Sequence, residues 1–387
     1  MAVLFWLLFG LIVYHYFIYP LIIMMMARRT QNKPVIPEIN EIKEHDLPSV
    51  SFIIAAYNEA AVIEDKIKNT LGLTYPEEKF EIIVASHGSD DETADIARSF
   101  ENRGIISLHS DKREGKTAAL NYAVAAASGE ILVFSDANNM FSDDAIKYLV
   151  RHYSDDTIGG VCGLKSIISD AGRQSSDGDG LYWKYESAIK NAESQCKTIT
   201  NADGEIFSLR RELYTPMDKS IINDDQEITF NLVNKGYRIV YEMKATSSEL
   251  ASIDLIDDYF VKVRMVAGSY QTLHRYFWQI FFPTTFFAWM FFSHKVLRWV
   301  MPMLLILFFF VTLMTLDQTI PKIFLYLQIV FYFMALLGFI FLRKVHKLKI
   351  LYVPLYFVMM NVAVAHGFIR YLKKGQTANW RKAERAG

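Results

Sequence analysis

KTAALNYAVAAA at residues 116–127 runs through Ser128-Gly129 into EILVFSDAN at 130–138, and this stretch decides the fold. The first piece is rich in alanine and free of proline and glycine, a composition that favours helix. The second is a continuous apolar run ending on a carboxylate, the pattern of a strand buried on both faces. The same alternation extends upstream. Residues 50–55 (VSFIIA), 81–85 (EIIVA) and 104–108 are β-rich runs, with 130–135 as the fourth. Between them, 59–71 has helical spacing, with Val62, Ile63, Ile67 and Leu71 set against Glu64, Asp65, Lys66 and Lys68, and 92–100 is a second helix. Strands and helices at this spacing predict an α/β domain over residues 45–270. Its sheet is expected to be mostly parallel and covered on both faces.

Outside that domain the chain turns apolar. Residues 3–26 carry no Lys, Arg, Asp or Glu. That run is long enough to cross a bilayer and too long for a signal-peptide core, so 1–27 is expected to be a transmembrane helix. Residues 276–298, with Pro283 inside and His294, Lys295 and Arg298 at the end, read as an interfacial amphipathic segment. Residues 299–372 read as further membrane helices. A hairpin of 299–316 and 323–342 turns at Asp317–Lys322, and a basic loop at 343–349 leads into 350–372. Ala27-Arg28-Arg29 and the basic loop place the middle domain in the cytoplasm by the positive-inside rule. A spanning 350–372 would put the basic tail 373–387 outside, against that rule. The segment, with Pro354, Asn361, His366 and Gly367, is therefore either a span or re-entrant. A net charge of −1 over 387 residues gives no electrostatic footprint for nucleic acid. Two cysteines, Cys162 and Cys196, do not make a disulfide framework.

In a parallel sheet of this kind ligands bind at the carboxyl ends of the strands, and the polar motifs fall there. Strand 50–55 leads into Ala56-Tyr57-Asn58-Glu59, where Glu59 either favours a helix N-terminus electrostatically or faces a ligand. Strand 81–85 leads into Ser86–Thr93, a turn with an acidic first helical turn behind it. Arg113-Glu114-Gly115-Lys116 opens helix 116–127. Two cations and a glycine at a helix N-terminus suit a diphosphate, and a solvated loop would read the same way. Asp136-Ala137-Asn138 ends the fourth strand. A carboxylate there is costly to bury without a partner, and oxygen ligands one residue apart suit Mg²⁺ or Mn²⁺ on a diphosphate. Asn223-Asp224-Asp225-Gln226-Glu227 could cap a helix, but adjacent acids in one cleft also raise a pKa towards general-base range. Arg264, in Lys262–Gly268, suits a lipid headgroup or a leaving phosphate equally. DAGRQSSDGDG at 170–180 reads as a linker or a mobile lid.

Taken in order, these pieces resemble the family 2 glycosyltransferases, inverting nucleotide-sugar enzymes of GT-A (Rossmann-like) fold. The similarity is greatest to the membrane-integrated branch that contains hyaluronan, cellulose and poly-N-acetylglucosamine synthases, and it covers about residues 48–300. Tyr57-Asn58-Glu59 matches the opening nucleotide-binding motif, with Ala56 where proline is usual. Gly88–Thr93 matches the Gly-Ser-x-Asp-x-Thr turn, with Ser86 and His87 where acids often contact the base. Gly115-Lys116 and Ala119-Leu120-Asn121 match the element near the diphosphate. Asp136-Ala137-Asn138 corresponds to the Asp-x-Asp metal motif with Asn in place of the last acid. Asn223-Asp224-Asp225 corresponds to the Thr-Glu-Asp motif, whose final acid is the base. Arg264 and Gly268 align with the Gln-x-x-Arg-Trp motif of the processive synthases. Val261 and Met265 replace its Gln and Trp, which puts long-chain synthesis in question.

The resemblance implies that Asp225, assisted by Asp224, is catalytic, and that Ala55, Tyr57, Glu59, Arg113, Lys116 and Arg264 hold the donor. Asp136 with Asn138 would hold Mg²⁺ or Mn²⁺. It implies a nucleotide-sugar donor, a glycan or lipid-linked acceptor at the inner membrane face, and contact with membrane lipids. About four spans make a thin channel, so an oligomer or partner subunit is also implied. The expected activity is inverting sugar transfer in surface polysaccharide or glycolipid synthesis. The rivals are transfer of one sugar to polyprenyl phosphate, nucleotidyl transfer on a related scaffold, and a non-catalytic membrane scaffold. The acids at 136, 224 and 225 disfavour the last.

Overall fold

The structure, a computed structural model, describes residues 1–30, 36–168, 178–250, 255–282, 285–341 and 349–375. Most of the loop expected at 170–180, the basic loop before 349 and the tail from 376 onward lie outside the described residues. The chain forms two compact units. Among the described residues, one comprises 1–28, 178–185 and those from 255 to 375; the other comprises 29–30, 36–168 and 186–250.

The second of these units is built on an eight-stranded sheet. Its strands are β1 (Val50–Ala56), β2 (Phe80–His87), β3 (Ile105–Ser110), β4 (Ile131–Asp136), β5 (Met140–Phe141), β6 (Ile158–Ile168), β7 (Phe207–Arg210) and β8 (Arg238–Leu250). Their order is β3-β2-β1-β4-β7-β6-β8-β5. The first four are parallel neighbours, as the apolar runs predict. β7 then enters antiparallel to both β4 and β6. β8 runs parallel to β6, and β5 closes the edge antiparallel to β8. The sequence reading identifies β1–β4 and does not find β5–β8. β6 carries three glycines and a lysine, and its pairing with β8 is irregular at two points, so neither strand presents a plain hydrophobic period.

All of β1 is buried, and its side chains alternate between two cores. Val50, Phe52, Ile54 and Ala56 join one with Ile63, Ile67, Ala97 and Ile146. Ile53 and Ala55 join the other with Ala119, Leu120, Phe134 and Ile228. Helices on both faces thus cover the sheet, and each large apolar side chain buried this way contributes about 1.5–3 kcal/mol.

One residue of the expected polar face is not on the surface. Lys66 is fully buried, its Nζ 5.0 Å from the centre of the Phe52 ring and 4.4 Å from that of Phe141. It donates a hydrogen bond to the Asn139 carbonyl. Burial lowers its pKa to about 7, against an opposing pull from Asp136. The lysine ties the turn that follows β4 to the helix carrying it.

The other unit carries four helices long and apolar enough to cross a membrane, at Ala2–Arg29, Phe286–Leu313, Thr319–Ile340 and Ile350–Leu372. Phe5, Phe9, Phe308 and Phe324 cluster between the first three, with ring centres 4.9–6.4 Å apart. Tyr14 hydrogen-bonds to Ser293 at 2.8 Å, between Oη and Oγ. A Cβ on Gly338 would lie 2.9 Å from the Leu351 carbonyl, and one on Gly367 would lie 2.8 Å from that of Val263. Small residues at these two points let helices approach closely. Two boundaries differ from the sequence reading. The helix Phe286–Leu313 continues through residue 298, where the sequence predicts the end of an interfacial segment. The helix Leu255–Arg275, counted to 270 with the α/β domain, belongs to the unit of apolar helices.

Candidate active site

The carboxyl ends of β1, β2 and β4 open onto one edge of the sheet, and the loops leaving them are tied to each other. Asn58 takes a left-handed backbone (φ 53°) at the sharp turn after β1. Its side chain and Asp90 exchange two hydrogen bonds, Asn58 Nδ2 donating to Asp90 Oδ1 at 2.6 Å and Asp90 N donating to Asn58 Oδ1 at 3.0 Å. Ser89, Asp91 and Thr93 accept from the backbone N–H groups of Asn58, Ala60 and Glu59. The polar turn after β2 therefore fixes the Tyr57–Glu59 loop. Gly88 (φ 75°) allows a close crossing, since a Cβ there would lie 2.6 Å from Arg113 Cα. Arg113 extends over the Tyr57 ring with Cζ 4.2 Å from its centre. Ala55 is buried within β1, between Ala85 and Asp136 in the sheet, and its side chain packs in the core.

Gly115, at φ 90° and ψ 171°, precedes helix Lys116–Ala126 in a conformation open to glycine alone. It starts the helix so that Lys116 faces the cleft. Lys116 Nζ lies 2.7 Å from Asp136 Oδ1 and 3.7 Å from Asp224 Oδ2. Burial alone would lower the pKa of this lysine; the two carboxylates reverse that and hold it well above its ordinary value. Further along the helix, Asn121 braces the segment that delivers the second acid pair. It donates to the Met217 carbonyl at 2.7 Å and accepts from Met217 N and Tyr214 Oη.

Asp224 and Asp225 open the helix Asp224–Asn234, and Asn223 makes no capping hydrogen bond from its side chain. Asp225 is set deep in the protein yet retains an opening to solvent. Its Oδ1 accepts from Gln226 N at 2.8 Å and its Oδ2 from Asn201 Nδ2 at 3.3 Å. Burial and then the neighbouring Asp224 push its pKa up to about 7, with Gln226 N–H and Lys116 pulling the other way. A Cβ added to Gly204 would meet Asp224 Oδ2 at 3.4 Å, Lys116 Nζ at 3.5 Å and Asp225 Cβ at 3.6 Å. Asp136, Lys116, Asp224, Asp225 and Gly204 thus converge.

The antiparallel half adds a second layer that the sequence reading misses. β7 pairs Phe207 with Phe134 of β4, which brings the loop Asn201–Ile206 to the same edge. Lys190, fully buried, lies 2.6 Å from Asp203. Lys165 on β6 lies 2.9 Å from Glu205 and 2.6 Å from Glu249 on β8. Asn138 donates from Nδ2 to Glu249 Oε2 at 3.2 Å. The one signal for this layer in the sequence is the polar run Asn201-Ala202-Asp203-Gly204-Glu205 ahead of the apolar Ile206-Phe207. Lys165 and Glu249 lie on strands that give no plain period. Arg264 sits on the helix Leu255–Arg275, in the unit of apolar helices.

The acids Asp136, Asp203, Glu205, Asp224, Asp225 and Glu249 outnumber Lys116, Lys165 and Lys190 in this electrostatically linked group. Its hard oxygen donors suit Mg²⁺ or Mn²⁺. Among the described residues no three His, Cys, Asp or Glu side chains are grouped to hold a metal ion unaided. Such sites commonly pair one or two carboxylates with the oxygens of a bound diphosphate.

The sheet, with acids and a basic helix N-terminus at its carboxyl edge, has the GT-A layout that the sequence leads one to expect. Residues 51–215 match the family model "Glycosyl transferase family 2". A poly-β-1,6-N-acetyl-D-glucosamine synthase of Staphylococcus aureus (strain COL) is 28% identical over 242 residues, 61% of this chain. The match spans 58% of that relative's length. The synthase of the same name from Staphylococcus epidermidis is 27% identical over 372 residues, 88% of this chain and 89% of the relative. Among solved structures, a mannosyltransferase from Pyrobaculum calidifontis in complex with GDP-Man and Mn²⁺ superposes with a TM-score of 0.70. It is 20% identical, and the superposition covers 96% of this chain and 100% of the other.

Proposed function

We propose that this protein moves a sugar from a nucleoside-diphosphate donor to a glycan or lipid-linked acceptor at the inner membrane face, with inversion at the anomeric carbon. The observation that carries the proposal is the convergence of Asp136 and Asp224 on Lys116, with Asp225 beside them at a raised pKa. A buried acid with a pKa near 7 is matched to general-base work at neutral pH.

The acceptor hydroxyl oxygen attacks the anomeric carbon, the bond from that carbon to the diphosphate oxygen breaks, and Asp225 takes the hydroxyl proton. Asp224 holds the pKa of Asp225 up. Tyr57, Glu59 and Arg113 form the wall for the nucleoside, with backbone from Ala55. Lys116 and the helix N-terminus behind it neutralise the leaving diphosphate, and Arg264 is a further candidate for that charge. Asp136 and Asn138 would hold Mg²⁺ or Mn²⁺, which when bound supplies positive charge to the leaving group. The four apolar helices support a membrane location, and the basic residues after the first favour a cytoplasmic catalytic domain. The names of the staphylococcal relatives favour N-acetylglucosamine as the sugar and a surface polysaccharide as the product.

The test is incubation of the purified chain with Mn²⁺ or Mg²⁺ and a panel of nucleotide sugars, UDP-N-acetylglucosamine first. Nucleoside-diphosphate release and product mass are measured together. Nucleoside-diphosphate release with a β-linked product supports the proposal. A single-sugar polyprenyl product would favour the rival lipid transferase, and pyrophosphate release would identify a nucleotidyltransferase.

A further inference from the structure

We propose that Glu249 is a positioning residue for the Asp136–Asn138 motif, and that it makes asparagine the required residue at 138. The inference rests on the donor-site reading above. Glu249 lies near the carboxyl end of β8, paired in register with Ile167 of β6. Lys165, two residues earlier on β6, is its diagonal neighbour on the same face, and the two form an ion pair at 2.6 Å. Lys165 also serves Glu205, at 2.9 Å. Glu249 is buried, and its Oε2 receives the Asn138 amide at 3.2 Å.

A carboxylate can only accept hydrogen bonds, so the amide must present its N–H to Glu249. The carbonyl oxygen of Asn138 is thereby left as its remaining donor atom toward a cation. An aspartate at 138 would set two carboxylates about 3.2 Å apart, with Lys165 already shared between two acids. Like charges that close disfavour each other. The acid absent from position 138 is thus offset by an acid arriving from β8. An acid restored there breaks the pairing instead of improving metal binding.

The test uses the full chain in detergent with N138D, E249Q and the N138D/E249Q double variant. Two quantities are read: the melting temperature without metal, and the affinity for Mn²⁺ with UDP. N138D is expected to melt lower than wild type and to bind Mn²⁺ with UDP about ten-fold more weakly or worse, as loss of an outer-shell partner does. In the double variant the amide introduced at 249 donates to the carboxylate introduced at 138, a reversed hydrogen bond. Its melting temperature is expected to recover, and its Mn²⁺–UDP affinity to return to within about three-fold of wild type. N138D that binds as well as wild type overturns the proposal. So does a double variant no better than N138D, including the case where both fail to fold. Recovery of melting without recovery of Mn²⁺–UDP affinity reduces Glu249 to a structural role and also overturns it. A wild-type chain that binds no Mn²⁺ with UDP sinks the donor-site reading and the positioning role with it. The metal-free melting temperatures still report whether residues 138 and 249 are coupled.

Discussion

Asp225 is an acid whose ionisation is opposed first by burial and then by Asp224, and it titrates near pH 7. If it is the base, transfer requires its ionised form, so kcat should rise with pH and level off above about 7. A rate profile between pH 5 and 9 checks this. Lys116 pulls the Asp225 pKa down, so Lys116→Gln should move that limb to higher pH and also weaken donor binding. The stability consequence has the opposite sign. With its folded pKa above the ordinary 3.8, Asp225 contributes stability that is complete below about pH 4 and lost as pH rises through about 7. Asp225→Asn should therefore be more stable than wild type above pH 7, on the order of 1–2 kcal/mol once its solvent opening is allowed for. Thermal melts at pH 5 and 8 measure the difference. The acids at 136, 224 and 225 are legible in the sequence because each follows a recognisable strand or opens a helix. Lys66, Lys190 and Glu249 are not legible. A charged residue paired inside the protein carries the same letter as one in water.

At the scale of elements, the αβ repeat over residues 50–136 is readable because parallel central strands are continuously apolar and end in polar turns. The antiparallel half is not, because β6 and β8 take their burial from long-range pairing and not from a local period. The loops at the carboxyl edge are held by specific backbone requirements. Gly88→Ala would put a Cβ 2.6 Å from Arg113 Cα at a positive φ. It should cost about 1–3 kcal/mol and displace Arg113 from Tyr57. A chemical melt and a nucleotide-binding titration read the two effects separately. Lys66→Met keeps the apolar stem between Phe52 and Phe141 but removes the bond to the Asn139 carbonyl. The turn after β4 should loosen, so metal-dependent donor affinity falls more than the melting temperature does.

For the whole molecule, one unit carries the site and the other carries four apolar helices, a division visible in composition alone. The division between an interfacial segment and a span near residue 298 is not legible, because π-helical backbone over Phe292–Val296 lets one helix run through Ser293, His294 and Lys295. If residues 27–29 face the cytoplasm, the turn at 317–318 faces outward. A cysteine placed at Gln318 in intact cells should then react with a membrane-impermeant maleimide while Cys196 does not. The most direct test of the central claim compares wild type with Asp225→Asn for donor affinity and turnover under the same conditions. The predicted result is donor affinity nearly unchanged and turnover lowered by about 10²–10⁴-fold or more. Turnover close to wild type in Asp225→Asn, or donor binding lost along with it, would contradict the account.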